Sequence, residues 1–141
     1  MAITQLSVFL MNQPGALVDA IKSISDANIN IRALSIAEAN DFGILRAIVS
    51  DTDLAVSLLK EKYLISKTEV IAARMGDKSG SLYPILKVLN EANINIEYMY
   101  AFTGTGVDEA YVVLRVNDVQ TAEAVLKASG IPTLSDENLK L

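Results

Sequence analysis

Two short stretches carry the residues best suited to holding a small charged ligand: Asn12-Gln13-Pro14-Gly15-Ala16-Leu17 and Asp77-Lys78-Ser79-Gly80-Ser81-Leu82. Each follows an alternating apolar segment and precedes a segment of helical period. A helix that starts just past such a turn offers backbone N–H groups to an anion, and a glycine lets a ligand carboxylate come close to the backbone. A side-chain oxygen of Asn12 or Asp77 can accept from an ammonium group. A plainer reading stands beside this one, in which Asn12 or Asp77 caps the helix and Gly15 or Gly80 supplies a tight turn.

The turn belongs to a repeat. Gly15 and Gly80 lie 65 positions apart, and so do Ala27-Asn28-Ile29-Asn30-Ile31 and Ala92-Asn93-Ile94-Asn95-Ile96. One unit therefore appears twice in one register, which predicts two small domains, residues 1–67 and 68–141. Neither is large enough to bury a generous core alone. Apolar residues make up 51% of the chain, above the usual range, so some apolar surface is expected to be shared between domains or between chains. That surplus predicts at least a homodimer.

The elements around the turns follow from periodicity. Leu6, Val8 and Leu10 alternate over a strand from Ile3 to Met11, and Leu17, Ala20, Ile21 and Ile24 then recur at helical spacing. That helix stops near Asn28, a residue type that tolerates a left-handed terminus, and a second strand is expected from Ile29 to about Ala37. Asn40-Asp41-Phe42-Gly43 makes a hairpin connection into a third strand, Ile44 to Val49. Asp51 and Asp53 suit the start of a helix to about Lys62 with Leu54, Ala55, Leu58 and Leu59 buried, and Leu64 to Ser66 leaves room for a short fourth strand. The second copy repeats the order from Val70, with no Gly- or Ser-rich linker between the copies. Leu82, Ile85, Leu86 and Leu89 form its first helical stripe, and Pro84 requires that helix to begin no earlier than about Gly80. Strands Ile96 to Phe102 and Ala110 to Val116, a helix from Asp118 through Lys127 and a closing strand Ile131 to Leu134 complete it. The polar tail from Ser135 is expected to fray.

Each unit reads β-α-β-β-α-β, so the fold class is α+β: two ferredoxin-like units, each an antiparallel sheet with both helices on one face. If Leu45, Ala47 and Val49 face the helices, Ile44, Arg46 and Ile48 face away, as do Tyr111, Val113 and Arg115. A face of that composition is too apolar to leave in water, which favours back-to-back packing of sheets.

Strand, Asn/Asp-x-Pro-Gly-x-Leu turn, helix and Asn-Ile-Asn-Ile strand in this order resemble the ACT domain family of amino-acid-binding regulatory modules. The likeness spans nearly the whole chain as a tandem pair, with Ser79 where the motif has proline. The first unit is particularly similar to the N-terminal domain of acetohydroxyacid synthase regulatory subunits. The resemblance implies ligand sites where two such domains pair through their second strands, between one domain's turn and its neighbour's second strand. It places Asn12 and Gly15, or Asp77 and Gly80, at the ligand's amino and carboxylate ends, with Asn30 or Asn95 contributing from the strand entry. The neighbour can be the other unit or another chain. Asn28 and Asn93 read more readily as helix terminators than as ligand groups.

Several classes drop out on composition. A net charge of −5 and a pI near 4.6 argue against nucleic acid as a partner. No apolar run approaches the roughly 18 residues of a membrane span and the N-terminus carries no signal-peptide pattern, so a cytoplasmic protein without a membrane partner is expected. With no cysteine and no histidine, neither a thiolate nor a histidine can act as nucleophile, base or metal ligand, and no cofactor or metal is implied. Gly104-Thr105-Gly106 lacks the third glycine of a dinucleotide site and reads as a hairpin turn. Tyr98, Tyr100 and Phe102 alternate on one strand face, either as a stacking platform or as packing, and Asp51/Asp53 and Asp108/Glu109 fit helix starts and turns. The chain thus reads as a non-catalytic regulatory protein that binds a free amino acid, with a protein-interaction subunit of an amino-acid biosynthetic enzyme as the alternative. Alanine at Gly15 or Gly80 is expected to cost the fold at most about 1 kcal/mol where the backbone angles suit it.

Overall fold

The computed structural model describes residues 2–103 and 109–139. The Gly104-Thr105-Gly106 turn and Asp108 lie outside them. The elements are β1 (Ile3–Met11), α1 (Ala16–Asp26), β2 (Ile31–Ala39), β3 (Phe42–Val49), α2 (Thr52–Leu59), β4 (Ile65–Gly76), α3 (Tyr83–Glu91), β5 (Ile96–Thr103), β6 (Glu109–Val116), α4 (Val119–Ala128) and α5 (Asp136–Leu139). The chain divides into compact units over residues 4–68 and 69–138. β4 runs through that division without a break, so the last strand of one repeat and the first strand of the next are a single element.

In the first unit the strand order is β2-β3-β1-β4, with β3 antiparallel to both neighbours. The Phe9 amide donates to the Leu64 carbonyl at 3.0 Å, where the chain enters β4. In the second unit β4, β6 and β5 pair antiparallel. Residues 132–134 close it on the far side of β4, through Arg74 N–H to Pro132 O at 2.8 Å and Leu134 N–H to Ala72 O at 2.9 Å. Both units are therefore ferredoxin-like, and the fold is α+β.

Period-two alternation decides which face is packed. Leu6, Val8 and Leu10 on β1 and Leu45, Ala47 and Val49 on β3 meet Ala20, Ile24, Ala55 and Leu59 from the helices. In the second unit Ile71, Ala73, Val112 and Leu114 meet Ile85, Leu89, Ala122 and Leu126. The reverse faces are buried too, at Ser7, Ala33 and Ile48 in one unit and Val70, Ala72, Tyr111 and Val113 in the other. No helix among the described residues is long and apolar enough to cross a membrane.

Three expectations are corrected. The second strand starts at Ile31 rather than Ile29, because the Ile29 amide donates to Ile24 O (3.2 Å) and the Asn28 amide to Ser25 O (3.0 Å). These are the paired bonds of a Schellman terminus, which takes Asn28 to φ 58° and draws Ile29 into the core. α2 ends at Leu59, and its buried stripe is only Ala55 and Leu59, one turn apart; Leu54 and Leu58 are 40% and 41% exposed. The tail contains the short α5, where Asn138 Oδ1 accepts from the Ser135 amide at 2.8 Å.

Candidate functional site

Both turns are built from the same backbone. In the first, the Ala16 amide donates to Gln13 O at 3.3 Å across Pro14-Gly15, with Gly15 at φ 92°. In the second, the Ser81 amide donates to Lys78 O at 3.2 Å across Ser79-Gly80, with Gly80 at φ 81°. A positive φ at the third position marks a type II turn, which requires glycine there and favours proline just before it. The Asn-x-Pro-Gly pattern is thus a turn specification. A Cβ on either glycine would meet no atom within 4 Å. The obstacle to alanine is therefore the left-handed backbone, which raises the expected cost to about 1–2 kcal/mol.

The polar residue at the head of the turn is not a helix cap. Asn12 donates from Nδ2 to Asn40 O at 3.1 Å, and its amide donates to Asp41 O at 2.9 Å, so it ties the turn to the β2–β3 hairpin. α1 has Gly15 as its N-cap residue and α3 has Leu82, and no side chain caps either one. The second helix of each unit is different. Asp51 accepts from Leu54 N–H and Asp118 from Thr121 N–H, both at 3.1 Å. The two helices that follow the turns thus begin with backbone N–H groups that no side chain satisfies, at an exposed end of the unit.

The other candidate residues are distributed differently. Asn28 and Asn93 terminate helices at φ 58° and 59°, and Ile29 and Ile94 place their side chains in the cores. Asn30 and Asn95 are exposed, and their backbones are clamped: Asn30 N–H donates to Ser50 Oγ at 2.9 Å and Asn95 N–H to Asn117 Oδ1 at 3.0 Å. Ile31 and Ile96 begin the outer strands. Within the first unit these groups do not converge. Met11, at the turn, pairs with Phe42 and so lies beside the end of β2, whereas Ile31 pairs with Val49 at the opposite end of the sheet. The 11-residue α1 separates the two ends by roughly 16 Å at a rise of about 1.5 Å per residue. The turn and the strand entry of the first unit are therefore at opposite ends of it.

Both ends of the first unit are concave. A cleft of about 390 Å³ beside the turn is lined by Gln13, Ala16 and Asp19 with Phe9, Phe42, Lys62 and Tyr63. A groove of about 450 Å³ at the other end runs along Ile21, Ser25 and Asn28 to Ile31. In the second unit a cleft of about 510 Å³ lies between α4 and residues 130–133 and holds none of the candidate residues. Sequence reasoning missed the clamps and the cleft wall. Ser50 and Asn117 had a signal, since each directly precedes the aspartate that caps the next helix; Phe42, Lys62 and Tyr63 had none.

Other constellations resolve into packing. Phe102 stacks on Tyr111 with ring centroids 5.2 Å apart, which makes the aromatic row of β5 part of a packed face. Among the described residues no group of acids could hold a metal ion.

The family described as an ACT domain pair matches residues 1–141. Among curated proteins none matches the chain by sequence. A crystal structure of a protein from Bacteroides thetaiotaomicron shares 37% identity with a TM-score of 0.92, covering 99% of this chain and 96% of that one. The ligand-free regulatory subunit of aspartate kinase from Thermus thermophilus has the same fold at 16% identity and a TM-score of 0.62, over 90% of each chain. The corresponding subunit from Thermus flavus does so at 13% identity and a TM-score of 0.62, over 89% and 88%.

Proposed function

Because the chain belongs to the ACT domain family, as an ACT domain pair, we propose that it is a non-catalytic regulatory protein that binds a free amino acid at the β1–α1 and β4–α3 turns and acts as a homodimer. The observation that carries this reading is the contrast in capping. In both units the helix after the turn lacks a side-chain cap, while the other helix has an aspartate. An amino acid's carboxylate would accept from the uncapped N–H groups, close to Gly15 or Gly80. Its ammonium would donate to an oxygen of Asn12 or Asp77. Structures of the same fold include regulatory subunits of aspartate kinase, which makes an enzyme the natural partner to test.

The second reading is a subunit that chiefly holds an enzyme, with ligand binding vestigial. It is favoured by exposed apolar side chains around the first turn, Met11 at 59%, Val18 at 65% and Leu64 at 72%. A thermal-shift screen of the full chain against the twenty amino acids separates the two. A ligand at about a hundred times its dissociation constant should stabilise the protein by roughly 2.7 kcal/mol, a shift of several degrees. No shift with any amino acid at millimolar concentration would discard the ligand reading and leave the second. Because Asp77 and Lys78 stand where the first turn has Asn12 and Gln13, titration calorimetry should resolve two unequal sites.

A further inference from the structure

We propose that the first unit takes a net-neutral amino acid with a large apolar or aromatic side chain, seated in the cleft beside its turn, and that the second unit does not take the same ligand. The proposal rests on the ligand function given above and names the class of amino acid. At about 390 Å³ the cleft lies near the lower end of the range for small-molecule sites, about 300–1,000 Å³, so it suits one small molecule. Phe9, Met11, Phe42, Tyr63 and Leu64 supply most of its apolar lining. The rings of Phe9 and Phe42 have centroids 6.2 Å apart, and Phe42, Met11 and Leu64 are 41%, 59% and 72% exposed. Large apolar side chains left this open around a concave surface mark a place that a ligand covers.

Two charges of opposite sign line the same cleft. Asp19 stands in the first turn of α1 and Lys62 follows α2, and among the described residues neither side chain is in an ion pair, with the other or with a third group. One open anion and one open cation match a zwitterion. Lys62 adds a positive charge for a carboxylate at the amides that no side chain caps, and Asp19 adds an acceptor for an ammonium group. A lysine or arginine ligand would bring a second cation towards Lys62, and an aspartate or glutamate a second anion towards Asp19, so the pair of charges selects against both. With rings and a thioether on the walls, a large uncharged side chain is the best fit.

The second unit keeps the backbone and changes the lining. The Arg74 amide donates to Pro132 O as the Phe9 amide does to Leu64 O, so Arg74 stands in the place of Phe9. Counting back along the chain from Pro132, Ile131 and Gly130 stand in the places of Tyr63 and Lys62. Gly76 pairs with Glu109 as Met11 pairs with Phe42, and Pro84 lies 65 positions after Asp19. Both rings of the Phe9–Phe42 pair are thus replaced by charged residues, and both charges of the first cleft by uncharged ones. The second turn has no equivalent seat for the same side chain.

Titration calorimetry of the full chain with L-phenylalanine, L-alanine, L-lysine and L-aspartate tests this. L-Phenylalanine should bind at one tight site per chain, about tenfold or more tighter than each of the other three. Lys62→Gln and Asp19→Asn should each weaken it about tenfold while melting near the wild type without ligand, since both side chains are exposed. Lys60→Gln, which removes the same charge two residues away and outside the cleft, should leave the affinity unchanged. Phe42→Ala should remove most of the preference for L-phenylalanine over L-alanine, and Phe42→Leu should keep part of it. Tightest binding of L-lysine, L-aspartate or L-alanine, two equal sites for L-phenylalanine, or a Lys62→Gln variant no weaker than Lys60→Gln would each overturn the proposal and leave the ligand function standing. Absence of binding by all twenty amino acids would refute that function and this proposal with it.

Discussion

Aligned on their glycines, the two turns reach one backbone with proline on opposite sides. In the first, Pro14 precedes Gly15, and the Asp19 amide donates to Gly15 O at 3.1 Å as the opening bond of α1. In the second, Ser79 replaces that proline and Pro84 stands at the place of Asp19. Having no N–H, Pro84 cannot make the opening bond; the Tyr83 amide takes Gly80 O instead at 3.3 Å, and α3 begins at Tyr83. The glycine is the common requirement, because only it holds the positive φ. The proline is a movable aid, which fixes the turn in one copy and the first helical turn in the other. The surfaces around the turns differ as well. Among the described residues, Met11, Leu17, Val18, Leu34, Ile36, Phe42, Leu54, Leu58 and Leu64 are exposed large apolar side chains of the first unit, against Tyr83 and Met99 of the second. Exposed apolar surface is thus concentrated on the first unit.

The strongest way to break the equivalence of the units is in their cores. Ile24 and Leu89 occupy matching positions and are fully buried. Ile24→Ala and Leu89→Ala should each cost about 2–5 kcal/mol in chemical denaturation. A loss below about 1 kcal/mol at either would mean that the two cores are not built alike.

Next come the glycines. Gly15→Ala and Gly80→Ala should each destabilise by about 1–2 kcal/mol, from the backbone alone, since neither Cβ would touch a neighbour. Both should also lose most of any amino-acid-induced melting shift. A variant that keeps the whole shift would place the ligand away from that turn.

The proline exchange should have a smaller effect. Ser79→Pro should stabilise the second unit by about 0.4–1 kcal/mol, and Pro14→Ser should destabilise the first by a similar amount. A destabilising Ser79→Pro would show that the second turn departs from the first in its backbone, not only in its sequence.

The smallest effect is one of pH on the capped helices, which the helices at the turns should not share. The Thr121 hydroxyl and then its amide, both donating to Asp118, lower the carboxyl below its ordinary value, and Lys67 does the same for Asp53 through a hydrogen bond and its charge. A carboxyl lowered in the folded state contributes stability above its unfolded pKa, near 3.9, which is lost as pH falls through the folded value. Asp118→Asn should flatten the acid limb of a stability–pH curve measured across that window. An unchanged limb would place the proton uptake elsewhere.

The sequence by itself determined the repeat, the order of elements, both glycine turns and both helix-ending asparagines, because each depends on residues close together in the chain. Gly15 needs only its own φ, and Asn28 needs only the helix before it. Burial at the margins was not legible in the same way: Leu54 and Leu58 carried an apolar signal, yet the narrow stripe of α2 turns them outward. The tertiary structure alone decided that Asn12 is a tether to Asn40 rather than a cap, that Ser50 and Asn117 clamp the strand entries, and that the turn and Asn30 lie at opposite ends of one unit. Each of these depends on strand register, which brings together residues twenty or more positions apart. Periodicity fixes which face of a strand is buried, but a residue's neighbours across the sheet follow only once the strands have paired.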